Sequence, residues 1–260
     1  MSFMFSMFRQ RNNKIWYVIW LVIGTSFVVS GCPFKSGVEG KAWFQSALKY
    51  DQARSKMFAN DAAKKGTAIQ DFTRMCKIKQ KFLRAKQPTE TEIISVLRSP
   101  NIRFQRVGLA AMSLKPIETD QLIEILFEFL QNTDREFKLY AIYSLEKFTL
   151  FPESKKDSLG KRLIKIIKDE KDKGVSIEEF SLLAKVPSKE TVLFLTEQLM
   201  KEGKENFIFR YPAFRALKEM GDSYYNKAAE YVNEHGSPEL KKELLESEKF
   251  WEKNINNEKK

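Results

Sequence analysis

Two cysteines, Cys32 and Cys76, and one histidine, His235, bound the reactive side chains of this 260-residue chain. A histidine-dependent nucleophile would need Cys76 or a serine to meet His235, and metal sites built on two or more histidines are excluded outright. His235 stands just before Gly236 at an expected helix end, where a partly charged imidazole suits the C-terminal dipole. No phosphate-cradling glycine loop, dinucleotide fingerprint, nucleophile elbow or HExxH pair occurs. Carboxylate pairs such as Glu124 with Glu128 fall at helical spacing, which marks a solvated acidic face far more often than a catalytic dyad. The residues present no catalytic, cofactor-binding or metal-binding set, and the expectation is a protein without enzymatic activity.

Cys32 has a distinctive setting. Arg9, Arg11 and Lys14 precede an uncharged stretch whose strongly apolar part runs from Ile15 to Val29, and Ser30-Gly31-Cys32 closes it. Basic residues, an apolar run of this length and small residues before a boundary are the layout of a secretory signal peptide. Val29-Ser30-Gly31-Cys32 resembles the lipobox of bacterial lipoproteins. That resemblance implies diacylglycerol transfer to the Cys32 sulfur, cleavage after Gly31, and a mature chain held to a membrane by its acylated first residue. The competing reading is an uncleaved anchor, since the 20 uncharged residues 15–34 are enough to cross a bilayer as one helix. Met7 offers an alternative start with the more ordinary leader MFRQRNNK. Pro33 is not the aspartate that retains some lipoproteins at an inner membrane, which tilts the expected location in the cell envelope towards the outer membrane. With Cys32 acylated, Cys76 has no partner for an intramolecular disulfide and is expected to be a small buried apolar residue.

The net charge of +11 is concentrated beside this boundary. Residues 35–86 carry 13 basic and 4 acidic side chains, whereas residues 87–260 carry 29 basic and 30 acidic. An exported, tethered chain rarely meets nucleic acid, and anionic lipid headgroups are the nearer partner, worth about 1 kcal/mol per Lys or Arg at the surface. In a helix over Ile69 to Lys86, Ile69, Phe72, Met75, Cys76, Phe82 and Leu83 fall on one side. Arg74, Lys77, Lys81 and Arg84 fall within a narrow arc on another, with Lys79 misplaced in the apolar stripe. The apolar side is expected to pack on protein and the basic side to face lipid; a plain solvated face is the alternative.

These positions divide the chain into a leader (1–31), a lipidated tether (32–40), a basic helical region (41–99), a repeat region (100–236) and a C-terminal capping helix with its tail (237–260). No convincing period-2 run of β-branched residues occurs, so the chain reads as all-α. Pro88, Pro100, Pro116, Pro152, Pro187 and Pro238 mark joints, and Ser237-Pro238-Glu239 is a helix start with an N-cap serine and proline at the first helical position.

Three segments share a pattern: Gln105-x-x-Gly108-x-x-Ala111-Met112, Lys138-x-x-Ala141-x-x-Ser144-Leu145 and Arg210-x-x-Ala213-x-x-Ala216-Leu217. A weaker fourth, Glu178-x-x-Ser181-x-x-Ala184, lies between the last two. Each precedes a joint and a second amphipathic helix, beginning near Glu118, Lys156, Lys189 and Asp222. Small residues three apart let a neighbouring helix approach closely, and one such contact per hairpin stacks pairs at a fixed offset. The pattern resembles HEAT-like repeats, with Asn101, Asp134 and Asn206 near the opening position and Met220-Gly221-Asp222 as the closing turn. That resemblance implies a right-handed α-solenoid of helical hairpins over about Asn101 to Gly236. A tetratricopeptide arrangement and an irregular helical bundle stay open as alternatives.

In HEAT-like stacks the second helices line the concave side. There Asp120, Glu124 and Glu128 form an acidic strip, and Lys161, Lys165 and Lys168 a basic one. Either the strips meet a protein partner, or neighbouring rungs pair with each other at typically below about 1 kcal/mol per exposed pair. The combined expectation is a membrane-anchored, non-enzymatic protein-interaction scaffold in the cell envelope. The alternatives are a carrier or lyase-like protein holding a small ligand between repeats, and a tetratricopeptide-type assembly factor.

Overall fold

The computed structural model describes residues 37–61, 68–149, 151–203 and 206–258. The leader and Cys32 lie outside the described residues. Gly40–Lys260 forms one compact unit. Every regular element among the described residues is helical. These are α1 (Ala42–Asp61), α2 (Ala68–Arg84), α3 (Glu90–Leu97), α4 (Ile102–Leu114), α5 (Asp120–Leu130) and α6 (Arg135–Glu146). After a 3-10 turn at Glu153–Lys155 come α7 (Lys156–Asp169), α8 (Lys173–Leu183), α9 (Lys189–Met200), α10 (Phe207–Met220), α11 (Asp222–His235) and α12 (Pro238–Glu258). Among the described residues no helix is long and apolar enough to cross a membrane.

Side chains at the N-termini explain where several helices begin. Thr89 and Glu92 form a reciprocal capping box at α3, and Thr119 caps α5. Asn101 and Asp134 accept from the backbone N–H two residues on, which opens α4 and α6, and Asp172 does the same for α8. Such caps satisfy amide donors that the helix itself leaves orphaned. Ser237 accepts from the Leu240 N–H ahead of Pro238. One proline departs from the expectation that prolines mark joints: Pro212 lies inside α10. Lacking an N–H, it removes one intrahelical hydrogen bond.

Helices two apart in the chain are neighbours over much of the fold. The first helix α1 packs on α4, α4 on α6, α6 on α8 and α8 on α10, while α7 packs on α9 and α9 on α11. Close approaches also join α3 to α4, α5 to α6, α7 to α8, and α9 to α10. Each small-residue helix therefore lies close to the helix before it, and α10 is also close to α11. Gly108, Ala111, Ala141, Ser144, Ala213 and Ala216 are all buried. A Cβ on Gly108 would come within 3.0 Å of Val96 Cγ1 and Leu97 Cδ2, so its hydrogen is what admits α3. Gly160 does the same between α7 and α9, where a Cβ would lie 2.7 Å from Thr191 Cγ2.

The fourth segment is registered differently from its reading in the sequence. Ser181 and Ala184 are only half-buried. Counted from the opening residues Asn101, Asp134, Asp172 and Asn206, the position held by Gly108, Ala141 and Ala213 is held in α8 by Glu179, which is 0% exposed.

Candidate functional site

Helix α2 presents a cationic surface. Arg74, Lys77, Lys81 and Arg84 are all exposed, and none forms an ion pair among the described residues. The only carboxylate in α2 is Asp71, which is buried and 3.8 Å from Lys56 on α1. The packed seam differs from the expected apolar stripe. Asp71 and Phe82 are buried and Met75 and Ile78 half-buried, whereas Phe72 and Leu83 are 55% and 41% exposed. A seam at i, i+4, i+7 and i+11 is what a helix uses against a neighbour; α1 packs on α2, and its Lys56 reaches Asp71 on that seam. Cys76 is a free, half-buried thiol, not a fully buried one. Ile69 lies where its side chain is outside the described residues.

The two strips on the second helices meet partners within the fold. Asp120 accepts from Lys155 at 2.8 Å, Glu124 from Arg162 at 2.6 Å, and Glu128 from Arg98 through both guanidinium nitrogens. Lys161 donates to Asp157 at 2.7 Å and lies 3.6 Å from Glu190 on α9. Lys168 reaches over the Phe194 ring at 5.7 Å. Lys165 is exposed and lines a recess with Lys138, Arg162 and Glu170. The strips thus form a ladder from α3 through α5 and α7 to α9.

Two buried polar features were missed in the sequence. At the junction of α1, α4 and α6, Asp51 accepts from Arg106 Nε at 2.7 Å and from the Tyr140 hydroxyl at 2.9 Å. Arg106 also donates to Ser55 at 2.6 Å. Arg54 stacks over Tyr140 at 4.4 Å and lies 3.4 Å from Glu136. Burial, followed by the Asp51 charge, raises the Tyr140 hydroxyl above its ordinary range. The second feature is Glu179, whose two carboxylate oxygens have no hydrogen-bond partner among the described residues. Burial, reinforced by Glu170 and opposed by Lys138, lifts its pKa to about 8, so it is held protonated at neutral pH. Asp172 capping α8 was the signal that would have registered Glu179 correctly.

Two clefts have largely apolar linings. One, of about 600 Å³, lies between α9 and α11 over Val192, Leu193, Thr196, Met200 and Tyr231, with Lys189, Lys201 and Lys227 at its rim. Leu193 is 57% and Tyr231 49% exposed there. The other, of about 460 Å³, is lined by Leu199, Tyr211, Phe214, Val232, Leu244 and Phe250. His235 ends α11 with its ring 4.5 Å from that of Tyr231. No group of three or more His, Cys, Asp or Glu side chains that could hold a metal occurs among the described residues. No protein-family model matches the chain, and no curated protein matches it.

Proposed function

We propose that this chain is a bacterial lipoprotein, acylated at Cys32, that holds a non-enzymatic, HEAT-like α-solenoid at an envelope membrane as a protein-interaction scaffold. Support for the solenoid comes from the alternation of contacts, α4 to α6 to α8 to α10 on one side and α7 to α9 to α11 on the other. Stacks of this kind offer extended surfaces to partners. The observation that carries the scaffold reading is the cleft between α9 and α11. Its apolar floor at Leu193 and Tyr231 is uncovered, and its rim of Lys189, Lys201 and Lys227 outweighs the single Glu197. An envelope protein segment with apolar and acidic residues fits it. A partner at Asp120, Glu124, Glu128 or Lys161 would first have to displace an existing ion pair, whereas Lys165 and Lys168 are more accessible. On α2, Arg74, Lys77, Lys81 and Arg84 face anionic headgroups.

Photo-crosslinking residues placed at Leu193, Tyr231 and Glu124 in intact cells test the reading. Adducts to one envelope protein from Leu193 and Tyr231, few from Glu124, are expected; no protein adduct from either groove position would overturn it. Intact-mass measurement tests the anchor, and an unmodified full-length chain in the membrane fraction would exclude the lipoprotein. A second reading, a small-ligand carrier, is favoured by the aromatic cleft around Tyr211, Phe214 and Phe250. Native mass spectrometry of the purified chain would reveal such a ligand as a bound mass lost on Phe214→Ala.

A further inference from the structure

We propose that α2 lies in the headgroup layer of an anionic bilayer with Phe72 and Leu83 inserted into its apolar boundary. This rests on the lipid-facing role of the α2 cations given above and adds an apolar contact to it. Among the described side chains of α2, Phe72 and Leu83 are the large apolar ones left uncovered. They project within about 20° of each other around the helix axis and about 16 Å apart along it, so one plane meets both. From that edge the exposed surface continues through Gln80 and Thr73 to Arg84, Lys77, Lys81 and Arg74. Asp71, the sole carboxylate of the helix, is turned to the opposite side and buried. The outward surface of α2 therefore combines apolar and cationic groups with no negative charge.

That combination is what binds a helix flat to a lipid surface: apolar side chains enter the acyl boundary while long cationic stems carry their charges back to the phosphates. An acidic protein also complements the charge. A bilayer is favoured because the uncovered groups lie on one convex helix and are spread over its whole length. A planar liquid surface fits that shape without a matching pocket. The position also follows from chain order, since α2 belongs to the segment of 13 basic and 4 acidic residues closest to Cys32.

The test uses the full chain reconstituted into vesicles of phosphatidylglycerol and phosphatidylethanolamine, with and without brominated acyl chains. Phe72→Trp is compared with the unsubstituted chain, so that emission from the native tryptophans cancels. Bromination should quench the added emission and leave it shifted to shorter wavelength, and a Leu83→Trp chain should behave alike. Changing Arg74, Lys77, Lys81 and Arg84 to Gln in the Phe72→Trp chain should remove the quenching, as should vesicles of phosphatidylcholine alone. Headgroup contact itself is read separately, from the salt-dependent shift of vesicle surface potential that the four cations cause. Loss of quenching with that shift retained overturns insertion and leaves the electrostatic contact standing; loss of both overturns both. Emission that changes only when other envelope proteins are added, with no effect of bromine, overturns insertion in favour of an acidic protein partner.

Discussion

Helices α2 and α5 both carry like charges along one face, and the fold treats them in opposite ways. On α5, Asp120, Glu124 and Glu128 are met by Lys155, Arg162 and Arg98 from the flanking segments. On α2, Arg74, Lys77, Lys81 and Arg84 form no ion pair among the described residues, and the single acidic side chain of that helix is turned inward. Spacing along a helix reports which side a charge occupies. Whether another element answers it depends on residues thirty or more positions away. The paired face contributes to cohesion between rungs, and the unpaired face is available to something outside the chain.

The comparison requires α1 to be fixed on the stack, since α2 is presented by α1. Its largest test is Asp51→Ala, which leaves the buried Tyr140 hydroxyl and the half-buried Arg106 Nε without their acceptor. A loss of about 3–5 kcal/mol is expected in denaturant unfolding. A loss below about 1 kcal/mol would mean that α1 is held without this network.

Asp51 is a buried carboxylate with partners, whereas Glu179 is a buried carboxyl without them among the described residues and is held neutral. The unfolded chain releases the Glu179 proton at about pH 4.3, whereas the native chain holds it to about 8. Between those values the native state binds a proton that the unfolded state has lost, so stability falls as pH rises. The slope is at most about 1.4 kcal/mol per pH unit from this group. Glu179→Gln should abolish that fall, and melting curves between about pH 5 and pH 8 would show it as a Tm difference growing in favour of the variant. Parallel profiles for the two chains would contradict it.

On the paired face, Glu124→Gln should cost less than about 1 kcal/mol, because its pair with Arg162 is exposed to solvent on both sides. A double-mutant cycle with Arg162→Gln measures the coupling directly, and a value near 3 kcal/mol would place the pair in a far less solvated setting. On the unpaired face, changing all four α2 cations to Gln should leave Tm nearly unchanged or raise it, since mutual repulsion is removed.

Much of the helical layout was legible because its signals are local. Asn101 and Asp134 cap helices as their types suggested, Ser237-Pro238 opens α12, and the second helices start at or near the expected residues. The small residues of α4, α6 and α10 were legible because burial selects for size at a close approach. Glu179 was not, because a pattern of small residues does not mark a position where α8 carries a buried carboxyl. Phe72 and Leu83 were assigned to the packed side because an apolar arc does not reveal which part of it the neighbouring helix covers. The cleft at Leu193 and Tyr231 was hidden for the same reason.

The most direct test of the contrast between α2 and α5 is sedimentation of residues 33–260, made without lipid, with phosphatidylglycerol-containing vesicles across a salt series. Three chains are compared: unsubstituted, the α2 chain with Arg74, Lys77, Lys81 and Arg84 changed to Gln, and the α5 chain with Asp120→Asn, Glu124→Gln and Glu128→Gln. Losing the α2 cations should weaken binding by a hundredfold or more at low salt, at about 1 kcal/mol per cation, with helicity retained. The α5 substitutions should leave binding undiminished. Equal binding by the unsubstituted and α2 chains would contradict the claim that α2 presents the open, membrane-facing surface of this protein.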